Sequence, residues 1–474
     1  MPDIRRLSEQ ALFRYSCVAT VALYVLFLQF YHLGELPIVQ WDESRLAVNA
    51  AEMSQSNQFL ISTFEDKPDL YNTKPPLMIW LQALSIKVFG LTEWAIRLPS
   101  ALAALACFFA LFRLVSILSN SLYFGLLAVI LLATSGGFIQ LHGSMTGDFD
   151  TLLSAFVLAA FLYFRSFLID RNDKAILGFT IFQSLALLSK SAAGLIPIPV
   201  YILMMFLFKE QNRLRPILLA LCLSLIPFIA YTLIREMVSG GYLQAIWNND
   251  FHGRYSKALE GHTSEWHYYI VNLFDYRFHY WIWLLPVVMI LSLRFKNRNL
   301  NFLTSAFLLY LFFLSSAGTR IHWYDMPLLP IVAGILSVGI SAIRDKWIPQ
   351  NRQWAYGLII VLALAIPIKD KFEFIAFRKG LLLDPGHYEL SQMMKAHEPQ
   401  HKAKYIANWY DAEFYFYSIQ HPEISRGKFR KLEIGDTVLM GNLYKDSLPM
   451  LYQFNTIKKT ENAQTVHITG HKNP

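Results

Sequence analysis

Apolar runs separated by short charged breaks set the pattern of this chain, falling near 11–31, 97–117, 121–141, 151–169, 175–190, 193–208, 216–234, 279–294, 300–316, 326–343 and 353–368. A helix needs roughly 20 apolar residues to cross about 30 Å of hydrocarbon, where it satisfies its own backbone groups. The pattern predicts a mainly α, polytopic membrane helical bundle of about 11 spans. The 175–190 and 193–208 pair also fits one helix broken around Lys190 and Pro197.

Two connections are long. Residues 32–96 contain Leu77 to Phe89, an apolar run too short to span and read as a helix in the interface plane. Residues 235–278 mix Trp247, Tyr255, Trp266, Tyr268 and Tyr269 with His252, Arg254 and His262, a composition suited to headgroup depth. Beyond Lys369 the chain turns polar. Alternation over Lys404–Ala407 and Asp436–Met440 predicts strands and 387–397 predicts a helix, so 369–474 reads as a small soluble α/β or α+β domain after a membrane domain of residues 1–368.

Arginine and lysine cluster in alternate short loops, at Arg5, Arg6 and Arg14, Arg113, Arg165 to Lys174, Lys209 to Arg215, Arg294 to Arg298, and Arg344 to Arg352. The positive-inside rule makes these loops cytoplasmic, which puts the two long loops and the C-terminal domain outside. The first run follows Arg5 and Arg6 and exceeds a signal-peptide core, so it is read as a retained span.

Composition agrees, with 54% hydrophobic and 16% charged residues. The net charge of +8 is dispersed among loops, which favours anionic lipid over nucleic acid as a partner. Cys17, Cys107 and Cys222 all lie in apolar runs and imply no disulfide framework. Neither a P-loop nor a G-x-G-x-x-G signature occurs, and no internal repeat is evident.

Candidate chemistry gathers on the outer side. Asp42-Glu43 follows the first run: a partly desolvated carboxylate there serves as a general base, while the commoner use of an Asp before such a run is as a helix N-cap. Lys74, stiffened by Pro75 and Pro76, suits a phosphate, or equally a snorkelling lysine. Asp148-Phe149-Asp150 is a D-x-D pair that also fits simple helix capping. Arg254 can grip phosphate in a bidentate way and Tyr324 can donate a hydrogen bond, though both also suit interfacial anchoring. Lys190 and Arg320 are further outer cations. His252, His262 and His322 lack tight ligand spacing, so no metal and no other cofactor is assigned.

Three stretches carry a resemblance: Trp41-Asp42-Glu43-x-Arg45; Tyr71-x-x-Lys74-Pro75-Pro76-Leu77-x-x-Trp80; and Phe89-Gly90-x-x-Glu93-x-x-x-Arg97-Leu98-Pro99-Ser100. Together they resemble the PMT/ArnT-like branch of the GT-C glycosyltransferases, within it most nearly the bacterial lipid A aminoarabinose transferases and their relatives. The resemblance implies a GT-C bundle in the bacterial inner membrane, with a periplasm-facing site that takes an undecaprenyl-phosphate sugar and inverts its anomeric carbon. It also implies roles: Asp42 as first-loop carboxylate and base, Asp150 as second-loop acid, and Lys74, Arg254 and Tyr324 as donor-phosphate ligands. Glu43, Arg45, Tyr71, Asp148, Lys190 and His322 are supporting residues. The chain departs from the aminoarabinose enzymes at Thr73, where they carry an acid, and in Arg320-Ile321-His322-Trp323-Tyr324, which lacks their lysine. The aminoarabinose substrate is therefore not carried across. The expected acceptor is a lipid, glycan or protein, with a lipid A-type glycolipid favoured; a transporter or flippase of lipid-linked sugars is the alternative.

Overall fold

The computed structural model describes residues 2–256, 264–377, 384–407 and 410–472. Two compact units emerge. The first comprises Met1–Tyr31, Leu70–Met78 and Pro99–Phe377, and the second His32–Asp69, Ile79–Leu98 and Arg378–Pro474. The expected division at 368/369 therefore changes, because most of the first long loop joins the C-terminal residues in one unit.

The first unit is a helical bundle. A helix stands at each of the eleven expected positions, and among the described residues six are long and apolar enough to cross a membrane: Ala11–Phe30, Glu93–Ser119, Phe149–Leu168, Ala175–Leu195, Gln211–Val238 and Leu328–Trp347. Others are shorter, such as Pro197–Leu207 and Leu284–Arg294. The apolar run 121–141 is cut in half, for its helix ends at Ala133. Thr134 and Ser135 bond back to the last turn, and Gly136-Gly137 follow. Gly137 takes a φ of +90°, where an added Cβ would meet the Arg277 guanidinium at 1.4 Å, so the helix stops here and irregular backbone leads to Asp148.

Aromatic packing ties the bundle together. Tyr201 sits 4.9 Å from each of Phe161, Phe164 and Phe179, and Phe302 closes on Phe164. Small residues let helices approach: a Cβ on Gly339 would lie 2.2 Å from Val288, and Ser337 donates to the Phe124 carbonyl at 2.6 Å.

The second unit joins an α-helix, Asp42–Ser56, and a small hairpin, β1 (Thr63–Phe64) with β2 (Lys67–Pro68), to a five-stranded sheet. Its strands are β3 (Ala403–Ile406), β4 (Ile424–Arg426), β5 (Thr437–Gly441), β6 (Tyr452–Lys459) and β7 (Ala463–His471), in the order β4-β3-β5-β7-β6. β3 pairs in parallel with β4 and β5, whereas β7 runs antiparallel to β5 and β6. One face buries Ile406, Val438, Met440, Val466 and Ile468. Alternation turns Tyr405 and Leu439 to the other face, where the helices Pro385–Lys395 and Ala412–Gln420 pack. The predicted helix at 387–397 and both predicted strands are present.

Two titrating groups make this unit sensitive to pH. The bond to Glu413 holds His387 above its ordinary 6.5. Burial pushes the Asp411 carboxyl up from 3.8 to about 6, against the pull of Arg426 at 2.9 Å. For His387, the stabilisation is full below 6.5 and fades as pH rises through the raised value. For Asp411, the native state prefers the protonated form, so stability falls as pH climbs from 3.8 through about 6. Both signs agree. Thermal unfolding of the full chain in detergent should lose stability from about pH 5 to about pH 8 more steeply in the wild type than in a His387→Gln/Asp411→Asn variant.

Candidate active site

Within the first unit, a cavity of about 380 Å³ gathers residues from six separate stretches of sequence. Lys74 enters from the segment before the helix Leu77–Phe89; Tyr242 donates to the Thr73 carbonyl at 2.9 Å and so fixes the residue ahead of it. Asp150 lies in the first turn of Phe149–Leu168. Lys190 and Ser191 come from a break inside Ala175–Leu195, Asp250 and Arg254 from the wide-turned helix Trp247–Ser256, Tyr310 from Arg298–Ser315, and Tyr324 from the short turn His322–Asp325.

The break puts polar groups into an apolar helix. Lys190 leaves helical geometry at φ −152°, ψ 55°, and Ser191 takes φ 24°, ψ −108°. A non-glycine residue held there costs about 1–3 kcal/mol, and such strain persists only when its surroundings over-determine it. They do so here: Lys190 Nζ reaches both Asp150 oxygens at 2.6 and 2.7 Å, and Ser191 donates to Asp250 at 2.6 Å. Lys190 also lies 4.9 Å from the centre of the Tyr324 ring, and Arg254 donates to the Tyr324 hydroxyl. Lys74 Nζ stands 3.9 Å from Asp250. Thr319 and Gly318 N–H groups bond the carbonyls of Arg254 and Tyr255 at 2.9 and 2.8 Å, which anchors the wide-turned helix.

The lining is two-sided. Three cations, Lys74, Lys190 and Arg254, stand with two carboxylates, Asp150 and Asp250, leaving one positive charge in excess. Leu195, Ile196, Pro199, Phe313 and Leu314 form an apolar wall. A head of excess positive charge beside an apolar wall fits an amphipathic anion.

A neighbouring polar group surrounds Asp148. This residue accepts from Thr146, has His142 Nδ1 at 3.7 Å, and receives Ser100 Oγ on its carbonyl at 3.1 Å. The D-x-D pair is thereby divided: Asp150 binds Lys190, whereas Asp148 turns to Thr146 and His142. His142 stacks on Trp323 at 3.9 Å, and His322 packs edge-on at 6.2 Å from it. Burial, together with Arg277 and His142, pushes His322 down to about 4, so it is neutral at physiological pH. The Tyr324 turn is braced below by the buried pair Arg277–Asp325 at 2.7 Å, with Asn272 on the same carboxylate at 2.7 Å. Tyr71 is half exposed and not part of the cavity lining. His252 is also absent from the lining, and His262 lies outside the described residues.

The first-loop motif belongs to the second unit. Asp42 is exposed and begins the helix Asp42–Ser56, but the N-cap position falls to Trp41, so the capping reading of Asp42 does not hold. Glu43 and Arg45 do structural work. Glu43 forms a buried bidentate pair with Arg97 at 2.6 and 2.9 Å, and Arg45 a bidentate pair with Asp69 at 2.8 and 2.7 Å. Glu93 accepts from Tyr417 at 2.8 Å and pairs with Lys395 at 2.8 Å.

Asp250, Ser191, Tyr310 and His142 were not legible as site residues. For Asp250 a signal existed: an acid set among aromatic residues needs a cationic partner, and Lys74 is one.

Comparison with known proteins adds to this geometry. The family model for dolichyl-phosphate-mannose-protein mannosyltransferases matches residues 73–234. An uncharacterised protein of Aquifex aeolicus is 24% identical over 371 residues, 75% of this chain and 70% of its own. The undecaprenyl phosphate-alpha-4-amino-4-deoxy-L-arabinose arabinosyl transferase of Shewanella sediminis is 26% identical over 69% of this chain; the alignment spans only 60% of that protein. Among solved structures, ArnT from Cupriavidus metallidurans bound to undecaprenyl phosphate aligns with a TM-score of 0.68 at 14% identity, over 95% of this chain and 97% of that one. The oligosaccharyltransferase of Archaeoglobus fulgidus aligns at 0.53 and 11% identity, over 88% of this chain and 65% of that one. By motif, by the match over residues 73–234 and by fold, this integral membrane chain is similar to glycosyltransferases of the PMT/ArnT-like type.

Proposed function

We propose that this protein transfers a sugar from a polyprenyl-phosphate carrier, undecaprenyl phosphate in a bacterial inner membrane, to an acceptor on the periplasmic face. The observation that carries the reading is the cavity of the first unit, with Lys74, Lys190 and Arg254 at one side and an apolar wall at the other. A polyprenyl phosphate has the same two parts, a charged head and a hydrocarbon tail. The ArnT structure that shares the fold was determined with undecaprenyl phosphate bound, which supports the same ligand class here.

The chemistry is a displacement at the anomeric carbon. An acceptor oxygen or nitrogen forms the new bond, its proton passes to a carboxylate, and the bond to the phosphate oxygen breaks with its electron pair leaving on the polyprenyl phosphate. Lys74 and Arg254 neutralise that charge, with the Tyr324 hydroxyl, held by Arg254, as a further donor. Lys190 bonds both oxygens of Asp150 and so orients it. The role of base falls to Asp42 through the family resemblance of the first loop. The family resemblance of the first-loop motifs favours a lipid A-type glycolipid as acceptor.

Binding tests the donor assignment. Lys74→Ala and Arg254→Ala should each weaken undecaprenyl phosphate binding by about 10- to 100-fold, the scale of one charge-assisted hydrogen bond, while uncharged undecaprenol binds all forms alike. Equal phosphate affinity in wild type and both variants would remove the donor site from this cavity.

A further inference from the structure

The second unit contains the residue assigned as base, and its C-terminal part holds the chain at two points just upstream of that residue. Trp41 immediately precedes Asp42 and adopts φ 75°, ψ −117°, a left-handed backbone that an indole-bearing residue takes only under constraint. Tyr410 supplies the constraint. Its ring stacks on the Trp41 indole at 4.7 Å and 14°, and its hydroxyl donates to the Trp41 carbonyl at 3.0 Å. The same carbonyl accepts the Arg45 amide at 3.0 Å and the Ser44 hydroxyl at 2.9 Å, which starts the helix. Three residues upstream of Trp41, the Ile38 amide donates to the Tyr417 hydroxyl at 2.9 Å, and that hydroxyl donates in turn to Glu93. Tyr417 is fully buried.

We infer that Tyr410 and Tyr417 are positioning residues for the Asp42 carboxylate: by clamping Trp41 and Ile38 they hold the strained turn that aims it, which gives the C-terminal residues a part in the reaction. This rests on the reading of Asp42 as base. A base must reach its proton within hydrogen-bond distance, and displacement by about 1 Å costs on the order of 100-fold in rate. Released from Tyr410, Trp41 relaxes toward an ordinary backbone and Asp42 moves with it.

The test uses the full chain in detergent, with steady-state transfer from a polyprenyl-phosphate sugar. Tyr410→Ala should lower kcat by about 10- to 100-fold with donor KM unchanged, and Tyr410→Phe, which keeps the stack, should recover most of it. Trp41→Leu removes the same stack from its other side and should reproduce the loss, which guards against misfolding of a single variant. In an Asp42→Asn background, Tyr410→Ala should cause no further loss, because a positioning residue has nothing left to position. If Asp42→Asn is inactive but Tyr410→Ala and Trp41→Leu keep their kcat, or if the losses multiply in the double variant, the inference fails while the base assignment stands. If Asp42→Asn retains activity, the base assignment itself is wrong and the inference goes with it.

Discussion

Asp42→Asn lowers turnover by roughly 10²- to 10⁴-fold, the range that a positioned general base contributes, and leaves donor KM close to its wild-type value. The amide keeps the shape and the first-turn position of the carboxylate but cannot take a proton. The structure supplies reasons to expect a clean result. Asp42 is exposed at the start of its helix, and the N-cap position belongs to Trp41, so the substitution removes no cap. Glu43 and Arg45, its neighbours, are committed to Arg97 and Asp69. A variant with normal thermal stability and lost turnover fits the assignment; one with normal turnover returns Asp42 to an ordinary first-turn acid.

Arg97→Ala destabilises the protein by about 3–5 kcal/mol, the cost of leaving a buried carboxylate without its partner. Arg97 is 1% exposed and meets Glu43 with two bonds while donating to the carbonyls of Leu33, Leu36 and Pro37 at 2.8–3.0 Å. Its loss therefore takes the cationic partner from Glu43, which keeps the Val39 amide at 2.7 Å, and the side-chain donor from three backbone carbonyls. Arg97→Lys recovers only part, because an ammonium lacks the planar fork that serves all these partners at once. Denaturant unfolding in detergent checks both variants, and an Arg97→Ala protein as stable as wild type would mean that the pair is solvated.

Much of the fold was legible because lipid imposes its own pattern. Helix positions follow from apolar runs, and even the break at Lys190 was readable as a charge next to a proline-bearing run. Where the runs misled, local chemistry decided. The 121–141 run is apolar enough to continue, yet Gly136-Gly137 and the close approach of Arg277 end the helix early. The partition of the chain was not legible at all, since it depends on pairs separated by more than 300 residues, such as Tyr417 with Glu93 and Ile38. Of the candidate residues, Lys74, Asp150, Lys190, Arg254 and Tyr324 meet in one cavity. Asp250 was missed because an acid within a loop of His, Arg and aromatic residues reads as incidental until its partners Lys74 and Ser191 are seen.

Transfer itself is the most direct measurement of the central claim. A panel of radiolabelled undecaprenyl-phosphate sugars is presented to the purified full-length protein with total membrane lipid and protein as acceptors, alongside a Lys74→Ala/Arg254→Ala variant. Label from at least one donor should pass to lipid or protein with the wild type and not with the variant. Absence of transfer from every donor, combined with equilibration of the labelled carrier across proteoliposomes, would contradict it and make the protein a transporter of lipid-linked sugars.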